Sequence, residues 1–452
     1  MSPIRRLLVI NRGEIAVRIV RAAKEMGITA IAAYSDADED SLAVQLADES
    51  VHIGGAHAKK SYLNHQALLA AARTVNADAI HPGYGFLSEN AEFARAVAGA
   101  GFIWVGPDAA TISRMGHKAE AIATARAAGV PVVPGSNGLI TSTEAAVQAA
   151  ADVGYPVLIK AASGGGGRGI RVAHDADELV SGIAAAQQEA AAAFGDDGVY
   201  LERFIARARH IEVQILGDGH EAVHFYERDC SLQRRRQKIW EEAPAAVLDP
   251  ATRDELCAAA VALAKSVGYR GAGTIEFLYD PDTRDFFFIE MNTRIQVEHP
   301  ITEEICGVDL IRMMITVAQG EPLPYRQDDI TPKGHAIEVR INAEDPANGF
   351  MPSPGQISEL RWPMGPGVRV DSMVYQGSTI PPYYDSLIGK LIVWGEDRQR
   401  ALARLGRALG ELRLVGPRTT LPFFETLLAQ AEVRDNEFHT TWVEKWLEGR
   451  QP

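Results

Sequence analysis

The sequence predicts an α/β fold that becomes α+β in its C-terminal part, and three stretches carry that prediction. Residues 1–115 alternate short apolar runs with helical spacing, the pattern of a parallel sheet covered by helices on both faces. Residues 116–330 set a run of four glycines between two strand-like segments, then become strand-rich and finally helical. Residues 331–446 hold strands broken by Gly and Pro, followed by a helix. These stretches are taken as three domains, with residues 131–205 forming a small, separately moving piece of the second. At about 150 residues per domain, three is also what the length suggests.

In the first domain Leu7–Ile10 reads as a buried strand. Glu14–Met26 follows as a helix, because Ile15, Ile19, Ala22, Ala23 and Met26 recur at helical spacing. Gly27 stops it, Ile28–Tyr34 is the next strand, and Ser35–Asp38 is a turn. The turn after the first strand holds only Gly13, so it lacks the three-glycine dinucleotide fingerprint and gives no support to NAD binding. His81–Asn90 reads as a turn leading into a helix capped by Ser88. Pro131–Gly135 marks a boundary. Val157–Lys160, Ile170–Val172 and Val199–Phe204 are strands, with an alanine-rich helix before the last. Near the C-terminus Leu402, Leu405, Leu409 and Leu412 share one helix face.

Composition removes several classes. Hydrophobic residues are 46% and charged residues 23% of the chain, ordinary for a globular enzyme and wrong for a disordered or fibrous protein. The net charge of −14 argues against nucleic acid or an anionic membrane as a broad partner. Cys230, Cys257 and Cys306 form no C-x-x-C, so neither a disulfide framework nor a zinc site is expected and a reducing, cytoplasmic setting fits. The first apolar run ends at Asn11-Arg12, too soon for a signal peptide. No apolar run approaches the roughly 18–20 residues of a membrane span.

Several residues carry chemistry. Glycines at 164–167 let backbone N–H groups form a nest for phosphates, and Lys160 adds a charge at the end of the preceding strand. The spacing is not that of a Walker loop. Thr274–Tyr279 and Phe286–Asn292 fold as a hairpin centred on position 283, which sets Leu278 opposite Phe288 and Glu276 opposite Glu290. Opposed carboxylates repel. A divalent cation removes the penalty, and oxygen ligands suit magnesium, with Asn292 as a third donor. If the chain stays extended beyond 292, Glu290, Asn292, Arg294, Gln296 and Glu298 line one edge over about 20 Å. His335–Asn342 repeats the alternation, placing Glu338, Arg340 and Asn342 on one face. Gln233–Lys238 is a basic island, read either as a solvated loop or as the wall of an anion site. No G-x-S-x-G elbow or H-E-x-x-H motif occurs, so hydrolase and zinc-protease readings have no support.

Together these segments resemble the biotin carboxylase family of the ATP-grasp superfamily. The matching stretches are Asn11–Ala16, His81–Asn90, Gly164–Gly169, Glu227–Ser231, Glu290–Pro300, Ile341–Asp345 and Pro381–Ser386. The resemblance implies a Rossmann-like N-terminal domain, an ATP-grasp domain with a mobile lid over 131–205, and a C-terminal biotin carboxylase domain. It implies that bicarbonate attacks the γ-phosphate of ATP to give carboxyphosphate. Carbon dioxide released from it is then captured by N1 of biotin on a separate carrier.

By match to the family, Lys118, Lys160, His210, Gly166 and Gly167 hold the phosphates of ATP, and Glu202, Arg203, Phe204 and Ile205 form the adenine hinge. Gln233 and Arg236 also fall in the nucleotide site. Glu276, Glu290 and Asn292 are the implied ligands of magnesium or manganese. Lys238, Arg294, Gln296 and the backbone of Val297 bind bicarbonate, and Glu298 is the general base. Arg340 stabilises the enolate-like oxygen of biotin, and Tyr84 lines the biotin pocket. His117, Arg236 and Trp240 depart from the family pattern, and Arg236 is expected beside Lys238.

Because no Ala-Met-Lys-Met segment is present, the expected partners are a biotin carboxyl carrier protein and a carboxyltransferase on separate chains, and the resemblance implies a homodimer. Acetyl-CoA carboxylase is the first choice of parent complex. A pyruvate, propionyl-CoA or other acyl-CoA carboxylase is the alternative. An ATP-grasp ligase joining a carboxylate to an amine is disfavoured by the Arg294–Glu298 edge and Arg340. A nucleotide-binding regulatory protein with a decayed site is disfavoured by the complete ligand set.

Overall fold

A computed structural model describes residues 3–136, 138–140, 142–161, 170–194 and 198–449. The fold opens with five parallel strands: β1 (Arg6–Val9), β2 (Thr29–Tyr34), β3 (Glu49–His52), β4 (Ala79–His81) and β5 (Ile103–Trp104). Their spatial order is β3-β2-β1-β4-β5. The Leu7–Val9 run is fully buried, as a strand covered on both faces requires. The helix Gly13–Glu25 follows at once, and Gly13 accommodates φ +73° at its start. Its Ile15, Ile19 and Val20 share one core with Leu216, Phe225 and Met314 of the next region, so the first domain is packed onto the second.

The helix after His81 begins later than its sequence suggests. Ser88 does not cap it: Ser88 and Asn90 donate their N–H groups to Gly85 and Leu87 in a turn. Asn90 is the cap, accepting from the Phe93 N–H at 2.8 Å.

The lid region has β6 (Val157–Ala161), β7 (Ile170–Ala173) and β8 (Val199–Arg203), ordered β7-β6-β8 and antiparallel. Its own core joins Ala146, Ala150, Ile159, Leu179 and Leu201. Arg203 ties it to the neighbouring hairpin through Asp280 at 3.3 Å and Asp285 at 3.2 Å.

The remaining large sheet contains β9 (Arg209–Asp218), β10 (Ala222–Arg234), β11 (Gln237–Ala243), β12 (Arg270–Tyr279), β13 (Phe286–Asn292) and β14 (His335–Asn342). Strands Leu387–Gly395 and Val368–Ser372 complete it. The order is β13-β12-β9-β10-β11-β14, then 387–395 and 368–372, antiparallel throughout. The sheet therefore runs without interruption from the central region into the C-terminal one. Along β9, Ile211, Val213 and Ile215 enter a core with Ile275, Phe277, Leu256 and Leu263. The alternate residues His210, Glu212 and Gln214 point to the other face, where polar groups gather.

At the far end Leu402, Leu405 and Leu409 of the helix Arg398–Glu411 pack on Val339, Ile341 and Leu391. Each such buried side chain contributes about 1.5–3 kcal/mol. Trp240 lies in this same core, buried, with its indole N–H 3.0 Å from Glu242. Among the described residues no helix is long and apolar enough to cross a membrane.

Candidate active site

Lid, central sheet and C-terminal region surround a cleft of about 1430 Å³. Lys160 and Phe204 line it from the lid, His210, Lys238, Glu276 and Glu290 from the central strands, and Arg340 and Tyr384 from the far wall. Single small-molecule sites run to about 300–1,000 Å³, so this cleft has room for more than one ligand.

The β12–β13 hairpin sets Glu276 directly opposite Glu290, as the sequence predicts. Toward the turn the register differs. Leu278 faces Phe287, not Phe288, because the ladder shifts by one residue between Glu276 and Phe277. This irregularity takes up the extra residue, Ile289, and keeps both carboxylates on one face. Their repulsion is relieved on one side only. Lys238 Nζ lies 2.8 Å from Glu276 Oε1, and His210 Nε2 lies 3.1 Å from Oε2. Burial opposes charge on Glu276, yet Lys238 and His210 together hold its carboxyl well below the usual range. Glu290 is exposed to the cleft and has no cation within 4 Å among the described residues. Burial and the facing Glu276 push its carboxyl upward.

An oxygen-rich pair with one member lacking a counter-ion fits a hard divalent cation. Asn292 completes the face, but its amide nitrogen donates to Glu276 at 2.8 Å while its oxygen accepts from Arg294 at 3.0 Å. His210, Glu212 and Glu276 also bring ligand atoms within 4.8 Å of one another. That set suits a cation poorly. Burial opposes charge on His210, but Glu276 raises its pKa to about 9, and Arg228 and Lys238 already hold Glu212.

Lys238 is the hub of the site. Besides Glu276 it bonds Glu212, and it reaches Glu298 Oε1 at 2.8 Å. Arg340 approaches the other oxygen of Glu298, with Nη2 to Oε2 at 2.9 Å, while its Nε donates to Glu241 at 2.7 Å. Burial works against a charge on Glu298, but Lys238, and then Arg340 and Arg228, outweigh it and hold the carboxyl below its ordinary value.

The 290–298 edge does not stay extended. β13 ends at Asn292, and Glu298 is the cap residue of the helix His299–Cys306. Polar contacts fold the segment back. Gln296 donates through Nε2 to Glu276 at 2.9 Å, and buried Arg228 donates to the Gln296 side-chain Oε1 at 2.8 Å. Arg294 is drawn to Glu89, with Nε 2.8 Å from Oε2. Arg294, Gln296 and Glu298 therefore line one cleft instead of standing along an extended edge.

Other expected residues are placed as follows. Lys160 is paired with Glu202 across β6 and β8. The N–H groups of Arg203 and Phe204 donate to Pro134 and Pro156, and Ile205 packs on Phe287. Gln233 and Arg236 line the cleft, with Arg235 and Arg236 forming the two-residue β10–β11 turn at φ +48° and +62°. The Val297 carbonyl accepts from Lys390 at 2.7 Å. Tyr84 lines the cleft and bonds Glu14 through its hydroxyl at 2.5 Å. Lys118 starts the helix Lys118–Ala127, exposed and off the cleft lining. Gly166 and Gly167 lie outside the described residues. Of the three departures from the family pattern only Arg236 faces the cleft. His117 joins two helices and Trp240 is in the C-terminal core.

Glu212, Arg228, Glu89, Glu241 and Lys390 also build the site, and sequence reasoning assigns none of them a role. Signals exist: Glu212 continues the polar alternation of β9, and Lys390 is a lone charge in the apolar run Leu387–Gly395. Lys390 is fully buried, 3.0 Å from Glu14.

Comparison with known proteins agrees along the whole chain. Residues 3–112 match the biotin carboxylase N-terminal domain, and residues 338–445 match the biotin carboxylase C-terminal domain. Residues 117–326 match the ATP-binding domain of the carbamoyl-phosphate synthase L chain. Biotin carboxylase 1 of Bacillus subtilis is 52% identical over 98% of this chain and 99% of its own. A pyruvate carboxylase subunit from Methanothermobacter thermautotrophicus is 47% identical over 98% and 90%. The dimeric biotin carboxylase domain of Hydrogenobacter thermophilus 2-oxoglutarate carboxylase, solved with MgADP, ADP and bicarbonate, superposes with a TM-score of 0.87 at 45% identity, covering 99% of each chain. With its three segments matched in chain order and more than half its residues shared with a full-length relative, the chain belongs to the biotin carboxylase family and is an ATP-dependent, carbon–nitrogen bond-forming ligase.

Proposed function

We propose that this enzyme carboxylates biotin on a separate carrier protein, using ATP and bicarbonate, as the biotin carboxylase component of an acetyl-CoA carboxylase. The observation that carries the mechanism is the hub at Lys238. One ammonium bonds both Glu276, on the carboxylate pair, and Glu298, which in turn pairs with Arg340. Phosphate-side and biotin-side chemistry are thereby adjacent.

Lys238, Arg294, Gln296 and Val297 hold bicarbonate, an anion small enough to displace the existing ion pairs of the first two. Glu298, kept ionised by its cations, takes the proton of bicarbonate. The bicarbonate oxygen forms a bond to the γ-phosphorus as the bond to ADP breaks, which needs positioning and charge neutralisation more than covalent help. Lys160, His210, Gly166 and Gly167 surround the phosphates, and Glu202–Ile205 with Gln233 and Arg236 hold the nucleoside. Glu276, Glu290 and Asn292 would hold magnesium or manganese, which supplies positive charge to the phosphate oxygens when bound.

Carboxyphosphate then splits into carbon dioxide and phosphate. The phosphate takes the proton held by Glu298, which then serves again as base for N1 of biotin; N1 bonds to the carbon of carbon dioxide, while Arg340 stabilises the negative oxygen that develops and Tyr84 lines the pocket. The lid over 131–205 excludes water from carboxyphosphate. A cytoplasmic homodimer working with a carboxyltransferase on another chain completes the reading. The 2-oxoglutarate and pyruvate carboxylase relatives support a second parent complex for the same half-reaction.

The test is ADP release with ATP, magnesium and bicarbonate, with and without free biotin. Release that requires bicarbonate and is stimulated by biotin is expected. Stimulation by an amine instead, or no turnover with intact ATP binding, would refute the proposal. Isolation of the carrier and transferase that co-purify with the chain identifies the parent complex.

A further inference from the structure

Behind Arg340 lies a second pair of carboxyls that the proposed chemistry leaves unused. Glu241 on β11 and Glu338 on β14 are direct cross-strand partners, both fully buried. Opposed residues of antiparallel strands have Cβ atoms about 4.5–5.5 Å apart, and like charges there destabilise the sheet. Glu241 gives its Oε1 to Arg340 at 2.7 Å. Its Oε2 and both oxygens of Glu338 are buried with no hydrogen-bond partner among the described residues. Such oxygens are costly to leave unsatisfied when charged.

The surrounding cations are committed elsewhere. Arg340, two residues from Glu338 on the same face, also serves Glu298 at 2.9 Å. Lys390, opposite Arg340 on the next strand, is held by Glu14 at 3.0 Å and by the Val297 carbonyl at 2.7 Å. Among the described residues Glu338 is left without a cation of its own, whereas Glu241 has one.

We propose that Glu241 and Glu338 share a single proton, carried on Glu338, and that Glu338 is a positioning residue acting through Glu241 to hold Arg340 toward Glu298. The positioning role rests on the function proposed for Arg340; the shared proton does not. As a neutral acid, Glu338 donates its O–H to the free oxygen of Glu241, which stays anionic and accepts from Arg340. Burial, and after it the neighbouring Glu241, favours the neutral form of Glu338 against the pull of Lys390 and Arg340. Loss of the proton places a second negative charge beside Arg340. The guanidinium is then drawn from Glu298 and from the oxygen it serves on biotin. Activity therefore falls as pH rises through the ionisation of Glu338.

Infrared spectroscopy of the whole folded chain distinguishes a protonated carboxyl from a carboxylate. The wild type should show a buried-acid carbonyl band near neutral pH that bleaches only on alkaline titration. Glu338→Gln should abolish it. Glu241→Gln should shift the band and lower the pH at which it bleaches, because Glu338 then loses the carboxylate that accepts its O–H and the facing negative charge. A wild type without the band, or a Glu241→Gln variant whose band and titration match the wild type, overturns the shared proton. If either variant fails to fold, the wild-type titration and the other variant still decide.

In kinetics, Glu338→Gln cannot ionise, so the alkaline limb of kcat/KM for biotin should move to higher pH. A limb that stays in place assigns the pair a structural role alone and overturns the positioning role. Absence of biotin-stimulated turnover in the wild type overturns the proposed function and the positioning role with it, while the band still decides the proton.

Discussion

Arg340 and Glu298 are joined by a 2.9 Å ion pair, so the residue proposed to take protons is bonded to the residue proposed to stabilise the anion that results. Glu298→Gln keeps the shape of that contact and removes the base. Biotin-dependent ADP release should fall by about 10²–10⁴-fold, with ATP binding nearly intact by calorimetry. Arg340→Ala should lower kcat by roughly 10²–10³-fold. It should also move the acid limb of the pH profile upward, because Arg340 helps hold the Glu298 carboxyl below its ordinary value and its loss lets that value rise. An unmoved acid limb would separate the two residues functionally.

Arg236 sits at φ +62° in a two-residue turn facing the cleft. A non-glycine residue in the left-handed region is strained by about 1–2 kcal/mol. Arg236→Gly should therefore stabilise the chain toward thermal unfolding while raising KM for ATP or bicarbonate. Arg236→His should shift one of those constants severalfold without the gain in stability. Steady-state kinetics beside calorimetry checks both, and unchanged kinetics would remove Arg236 from the site.

Lys390 is fully buried between Glu14 and the Val297 carbonyl. Removing one partner of such a pair costs about 3–5 kcal/mol, because the other charge stays buried alone. Lys390→Met should destabilise by that amount in urea unfolding. Adding Glu14→Gln should recover most of it, since the two sites are in contact and their effects are not additive.

His81 is fully buried and accepts the Gly83 N–H at Nδ1. Burial, with Arg18 adding to it, depresses its pKa from 6.5 to about 3. The unfolded chain takes up this proton near 6.5 and the folded chain only near 3. Stability is thus complete above the unfolded value and declines as pH falls below it, by about 1.4 kcal/mol per unit. His81→Asn preserves an acceptor for Gly83 and should flatten that decline. Urea unfolding from neutral pH down to about pH 5 measures the slope in both proteins.

Local rules carry a large part of the site. The Glu276–Glu290 pair is readable because a hairpin with period-two side chains leaves few registers, and the bulge at Ile289 preserves the one that matters. Glu338 and Arg340 fall on one face for the same reason. Local continuation fails at residues 293–298, which leave the strand because Gln296 and Arg294 gain more from Glu276, Arg228 and Glu89 than from extension. Ser88 yields the cap to Asn90, which stands next to the first helical turn.

By itself the sequence determined the alternation of elements, the family, and the identity of most polar groups in the cleft, since these follow from periodicity and residue chemistry within short windows. Tertiary structure alone decided which charges meet. Lys238 is recognisable as a cation, but three carboxylates converge on it only because one face of an antiparallel sheet puts side chains of β9 and β12, and the Glu298 segment, within its reach. The same sheet buries Glu241 against Glu338 and sets Lys390 behind Val297. Coulomb energies in a buried site depend on separations of a few ångströms between residues far apart in the chain, and no local pattern encodes them.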